Sequence, residues 1–501
     1  MADASSPAAS LRQLLLEIGY LDSSLALLNW DQETYLPQGG AAARAATISA
    51  LSARRHALAT DITLQREVEH LQSLPAGALD EAETALLREV VRDLARYVKL
   101  PNTFVAQLAE ATSRGQVVWQ AARQADDFSQ FAPLLEEIVQ LSRQEADYLG
   151  YAASPYDALL DTYEPGLTAA SLTALFTPLA AELQAMVPSL AARSASPLAE
   201  GTFPVEEQLA FGREMAAGLG YNLQAGRLDL SAHPFSTSFH PTDARITTRV
   251  DLHDIWVCLG SVIHETGHAL YEQGLPVEHF ATPLGQAASV GIHESQSRSF
   301  ENIIGRSRAF WEFWYPKLQA RFPDPFARTE LDQFLARLTN VTPSFIRVEA
   351  DEVTYNLHII LRTELERELI EGTLRVRDLP EAWNAKVKQY LGLDVPTPSL
   401  GVLQDVHWSC GYFGYFPTYA LGNLYAAQFW AAVKRELPDI EESLRQGDAS
   451  PFLGWMREHV HRYGRQYLPS ELLERATGET LNPQYFTRYL SERYGTGSST
   501  G

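Results

Sequence analysis

The sequence predicts a mostly α-helical protein that carries one small sheet, and three observations predict it. Long stretches rich in Ala, Leu, Glu, Gln and Arg repeat apolar residues at three- and four-residue spacing, as in AETALLREVVRDLARYV from Ala82. One region, RLDLSAHPFSTSFHPTDARITTRV from Arg227 to Val250, breaks that pattern with Ser, Thr, Pro and β-branched residues, which suits two or three short strands. Punctuation is short: LPAG near Pro75, SPLAEGTFP from Ser196 and DVPTPS from Asp394 separate helical segments, and none is long enough for a flexible linker. We therefore expect a single domain over residues 1–501, with a small antiparallel sheet and polar tails, MADASSPAAS and YGTGSST, that fray.

Composition narrows the function classes. With 501 residues, 46% of them hydrophobic, the chain can bury a large core. Cys258 and Cys410 are too few for a disulfide framework, which favours a reducing, cytoplasmic setting. The N-terminal stretch lacks a basic region followed by a long apolar run, so neither a signal peptide nor a membrane anchor is expected. A formal charge of −22, from 40 basic and 62 acidic residues, argues against nucleic acid as a partner. Any anion held by so acidic a chain needs a locally placed cation.

After the strand-like region a helix begins. Asp251 suits the N-cap, Leu252, Ile255, Trp256, Leu259 and Ile263 form an apolar stripe, and Gly274-Leu275-Pro276 supplies the stop. Inside it lies HETGH, with His264 and His268 four residues apart and so roughly 40° apart around the axis, close enough to converge on one ion. A chance H-[DE]-x-x-H is expected only roughly 0.04 times in a chain of this composition. Catalytic zinc takes three protein ligands and leaves a position for water, while a nearby carboxylate accepts the water's proton; Glu265 is placed for that task. For the third ligand we choose Glu294. It lies in GQAASVGIHESQSRSFENIIG, which reads as a second helix folding back against the first across the loop around Pro276 to Pro283. The plain alternative is three helix polar residues with buried partners of their own.

These residues resemble the carboxypeptidase Taq family of metallocarboxypeptidases. Six family motifs stand in order: HPF at His233, DARIT from Asp243, HETGH from His264, HESQ from His293, IRVEAD from Ile346 and GVLQDVHW from Gly401, with NWDQETYLPQGG as a matching flank. The resemblance covers nearly the whole chain. It implies a helical fold similar to neurolysin and angiotensin-converting enzyme, two lobes flanking a deep active-site cleft, with the small sheet along it. It also implies a divalent metal, zinc or cobalt, release of single C-terminal residues with broad tolerance, and a homodimer.

An enzyme of that kind recognises a free C-terminal carboxylate, for which Arg347 is the first candidate and Arg245 the second. Pairing of Arg347 with Glu349, Asp351 or Glu352, and of Arg245 with Asp243, is the competing structural reading. By similarity to the angiotensin-converting-enzyme relatives, Tyr415 is the oxyanion donor, with Tyr419 as the alternative, Tyr412 a carboxylate contact, and His407 a contact to backbone or carboxylate. His233 could lie along a strand that pairs with extended substrate, with a purely structural turn at His233-Pro234 as the equal alternative. Asp405 or Glu301 could hydrogen-bond a ligand histidine. In EHVHR, His459 and His461 point apart if helical and read as surface residues. An endo-oligopeptidase on the same scaffold is the alternative function.

Overall fold

Apolar periodicity resolves into helices through most of the chain in a computed structural model, which describes residues 6–192 and 201–495. The outermost residues of both polar tails and the start of the Ser196 punctuation lie outside the described residues. The chain forms two compact units from alternating segments. One comprises Met1–Val98, Pro197–Leu335 and Gln428–Thr480; the other comprises Lys99–Ser196, Ala336–Ala427 and Leu481–Gly501.

In the first unit, the Ala9–Thr34 helix turns Leu11, Leu15 and Ile18 onto Leu64, Val68, Leu71, Leu86 and Val90. Its Ser23 hydroxyl donates to the Phe239 carbonyl at 2.6 Å, tying that helix to the sheet. The sheet has strands β1 (Leu228–Leu230), β2 (Ser236–His240) and β3 (Asp243–Thr248) in the order β1-β3-β2. It is mixed, which corrects the antiparallel expectation. β2 and β3 form an antiparallel hairpin with Thr237 opposite Arg245, whereas β1 runs parallel to β3 with Leu228 opposite Ile246. The reason lies in the HPF segment: Thr247 exchanges backbone and side-chain bonds with Phe235, so the chain passes the end of β3 before β2 begins, leaving β3 between β1 and β2.

The next helix spans Ile255–Glu272 and is capped by Asp254, whose carboxylate accepts the Trp256 amide at 2.9 Å. The expected cap, Asp251, instead accepts the amides of His253 and Asp254 and shapes the turn ahead of the helix. Leu252 therefore falls outside the apolar stripe and is exposed, while Ile255, Leu259 and Ile263 are buried. Ser289 caps the second helix, Val290–Arg298, which runs on into a π turn over Ser299–Ile304.

The second unit is built around the Thr354–Glu371 helix, which packs against the helices Phe128–Leu149, Pro155–Tyr163, Ala169–Ala191 and Leu379–Leu391. Fourteen of its 18 residues are buried, so it is apolar on most sides yet carries buried Asn356, His358, Arg362 and Glu366. Among the described residues one helix, Ala169–Ala191, is long and apolar enough to cross a membrane by length and composition.

Candidate metal centre

Two imidazoles one turn apart need a third donor from another element, and helix spacing delivers it. A Cβ at Gly267 would stand 2.6 Å from the Gln296 carbonyl oxygen and the Ser297 Cα, so glycine there lets Val290–Arg298 lie backbone to backbone against the His264 helix. That approach puts Glu294 Oε2 3.5 Å from His268 Nε2 and 4.0 Å from His264 Nε2. One atom from each residue lies within 4.8 Å of the others. Ligand bonds of about 2.0–2.1 Å in a tetrahedron give edges of about 3.3 Å, so this donor set fits a divalent ion after small side-chain adjustments.

The outer atoms of the three residues are fixed. His264 Nδ1 donates to Glu301 Oε2 at 2.7 Å, which leaves Nε2 as the acceptor nitrogen toward Glu294. Glu301 reaches the imidazole from the π turn and is itself held by Arg298 and Arg306. His268 Nδ1 bonds His293 Nδ1 at 2.6 Å, and His293 Nε2 bonds Glu272 Oε1 at 2.9 Å. With His268 Nε2 kept for an ion, its Nδ1 donates to His293, whose Nε2–H donates to Glu272. Arg298 Nε donates to Glu294 Oε1 at 2.6 Å, leaving Oε2 for the histidine side.

Burial would lower the His264 imidazole, but Glu301 and Glu294 outweigh it and raise it to about 9, so a cation there displaces a proton; the other two donors are ready to bind. Burial pulls the His268 imidazole down to about 3, so it stays neutral. Burial would raise Glu294, but Arg298 and the two histidines outweigh it and hold the carboxylate charged. Glu265 is only 6% exposed, and no donor among the described residues bonds its carboxylate; burial pushes it up to about 7, in the range of a base that takes and returns a proton.

The second unit holds a separate polar cluster. Arg347 Nε and Nη2 both reach Asp405 Oδ1 at 2.9 Å, and Nη1 donates to the Tyr355 hydroxyl at 3.2 Å. Arg362 Nε donates to the other Asp405 oxygen at 2.7 Å. Two buried guanidinium groups thus share one carboxylate, and the cluster carries a surplus positive charge. His407 adds none, because burial holds it down to about 4. Its Nε2 bonds the Tyr419 hydroxyl at 3.1 Å, and its ring lies 4.4 Å from Phe416 and 5.6 Å from Tyr415, centre to centre. Tyr412 is half exposed.

The sequence model of the family described as Carboxypeptidase Taq (M32) metallopeptidase matches residues 10–494. The chain belongs to this family. It is 41% identical to thermostable carboxypeptidase 1 of Thermus thermophilus, covering 97% of this chain and 99% of that one. Carboxypeptidase 1 of Bacillus subtilis is 37% identical over 96% of each chain. A crystal structure of an M32 carboxypeptidase from Deinococcus radiodurans superposes with a TM-score of 0.95 at 39% identity, covering 98% of this chain and 99% of that one. The protein is accordingly a metal-dependent carboxypeptidase that acts on peptides.

Within this M32 enzyme the structure brings His264, His268, Glu294 and Glu265 together in one unit and Arg347, His407, Tyr415 and Tyr419 in the other. Several expectations change. Arg347 pairs with Asp405 rather than Glu349, Asp351 or Glu352. Asp405 therefore serves arginines, and Glu301 holds the histidine. Arg245 pairs with Asp243 at 2.8 Å and lies over the Trp30 ring, the structural reading of that residue. His233 is exposed in a bend three residues ahead of β2, not on a strand, because Pro234 and Phe235 carry the chain past β3. His461 is fully buried, with Nε2 on Gln296 at 2.9 Å and its ring against Tyr271; only His459 stays partly exposed, stacked on Trp455. Sequence reasoning missed Arg298, His293, Glu272 and Arg362. The first could have been found from its position one turn after Glu294; the others depend on contacts that spacing does not encode.

Proposed function

We propose that this M32 carboxypeptidase releases single residues from free peptide C-termini with broad side-chain tolerance, using zinc, with cobalt as a working substitute. The observation that carries the end-specific reading is the surplus cation: in a chain of formal charge −22, Arg347 and Arg362 share one acid and suit a substrate carboxylate. His264, His268 and Glu294 would hold the metal. When bound, a divalent ion supplies Lewis acidity to a peptide carbonyl and makes water a competent nucleophile near neutral pH. Glu265 takes a proton from the attacking water and returns it to the leaving amine as the C–N bond breaks. The Tyr415 hydroxyl donates to the oxyanion. Arg347 binds the terminal carboxylate, and His407 and Tyr412 contact the substrate beside it. Arg245, already neutralised by Asp243, receives no clamp role; His233 is free to contact an extended substrate backbone.

We further propose a homodimer of one metallocarboxypeptidase domain over residues 1–501, located in the cytoplasm, where its two free thiols would persist. Mass spectrometry of one peptide digest, with and without a chelator, tests the reaction. Stepwise loss of C-terminal residues, abolished by chelation and restored by Zn²⁺ or Co²⁺, is expected. Internal cleavage of a C-terminally amidated peptide would replace this reading with an endo-oligopeptidase.

A further inference from the structure

Among the buried acids that the proposed mechanism leaves unused, one sits beside the aromatic loop. Glu366 is 0% exposed and forms no ion pair among the described residues, yet it accepts three hydrogen bonds. One Oε1 takes the Tyr156 hydroxyl and the Gly414 amide, the latter at 3.1 Å; Oε2 takes the Trp408 indole N–H at 3.1 Å. Trp408 follows His407 and Gly414 precedes Tyr415, so each loop donor adjoins a residue that the proposed function assigns to substrate.

We propose that Glu366 is a positioning residue: its buried carboxylate anchors both ends of the His407–Tyr415 loop on the Thr354–Glu371 helix and so fixes His407 and Tyr415 for substrate. The same helix carries Arg362, one turn earlier on the same face, and Tyr355, which bonds Arg347. One rigid element therefore sets the positions of both the arginine pair and the aromatic loop. The loop is tight elsewhere too. Gly414, at φ +89°, lies so close to Leu159 and Leu160 that a Cβ would stand 2.9 Å from their backbone, and Gly115 gives way to the Ser409 carbonyl. Left alone, a loop rich in glycine would sample many conformations; an acceptor able to take three donors selects one.

This inference rests on the proposed substrate roles of His407 and Tyr415, and the test separates the two. Gln at 366 keeps the shape but turns an amide N–H₂ toward the indole N–H, so Glu366→Gln should release Trp408 and the His407 end of the loop. In the zinc-loaded full-length enzyme, hydrogen exchange across residues 405–416 should quicken at least ten-fold, with residues 261–274 unchanged. For a free-acid peptide, KM should rise about ten-fold with kcat within about three-fold. Trp408→Phe, which deletes one donor and leaves the acid, is the milder variant should Glu366→Gln fold poorly; it should quicken the same exchange, and the double variant should be no worse than Glu366→Gln alone. Unchanged exchange in both single variants overturns the proposal whatever the kinetics. So does a normal KM in Glu366→Gln beside a ten-fold raised KM in His407→Ala. A normal KM in His407→Ala sinks the substrate-contact reading instead, and exchange alone then decides the anchoring.

Discussion

Glu265, Glu301 and Arg347 each act through a few polar atoms, so each is tested by removing them. Glu265→Gln should retain stoichiometric metal while turnover falls by about 10²–10⁴, the span of a lost general base; near-normal rates with metal bound would contradict the assignment. Glu301→Ala leaves the His264 Nδ1–H without its acceptor and should weaken zinc binding by about 10–100-fold, read by competition with a chromophoric chelator. Equal affinity would show that Glu301 merely neutralises Arg306. Arg347→Ala should cut kcat/KM for free-acid peptides by about 10²–10³-fold, while amidated peptides, already poor substrates, change little. An equal loss on both would remove Arg347 from the clamp. At this scale the sequence was most legible where covalent geometry decides, in the four-residue spacing of His264 and His268 with Glu265 between them. It was least legible for Arg347, whose neighbours in sequence include three acids and whose actual partner, Asp405, lies 58 positions away.

Elements explain what the residues cannot. Helix was readable over most of the chain from periodicity, but the π turn at Ser299–Ile304 was not, since no residue type demands it, and it is this turn that carries Glu301 to His264. The Thr354–Glu371 helix hides its role for a different reason: buried on nearly every side, it has no polar stripe to mark Arg362 and Glu366. His461 was misread because an apolar or polar face cannot be told for a residue in a short 3₁₀ turn. Its burial gives a pH test. Burial holds the folded imidazole down to about 3, whereas the unfolded value is about 6.5. Below pH 6.5 the unfolded chain takes a proton that the folded chain refuses, so this contribution to stability is lost as pH falls. His461→Gln should be less stable than the parent at pH 7.5, having lost the bond to Gln296. The gap should narrow by about 2 kcal/mol on going to pH 5, measured by urea unfolding. A gap that stays constant would mean His461 is protonated in the folded protein.

At the scale of the whole molecule, charge and chain path dominate. Interleaved segments of the chain build both units. The mixed sheet escaped prediction because strand order depends on where the HPF segment crosses, not on strand composition. An overall charge of −22 repels the anionic termini that the arginine pair is proposed to catch. Raising ionic strength from about 0.01 to 0.2 M shortens the Debye length from about 30 to under 10 Å. kcat/KM should then rise for peptides with acidic side chains and fall for basic ones; identical responses would show that long-range charge plays no part in capture.

Gly267 sits between the two histidines, binds nothing and takes no part in the chemistry, yet the meeting of two backbones at 2.6 Å from its missing carbon is what brings Glu294 within reach. Any methyl group there would wedge the helices apart by more than a ligand bond can stretch. The glycine inside HETGH is thus a spacer of zero thickness, and a signature ordinarily read as catalytic chemistry is, at its fourth letter, a record of how closely two coils must nest.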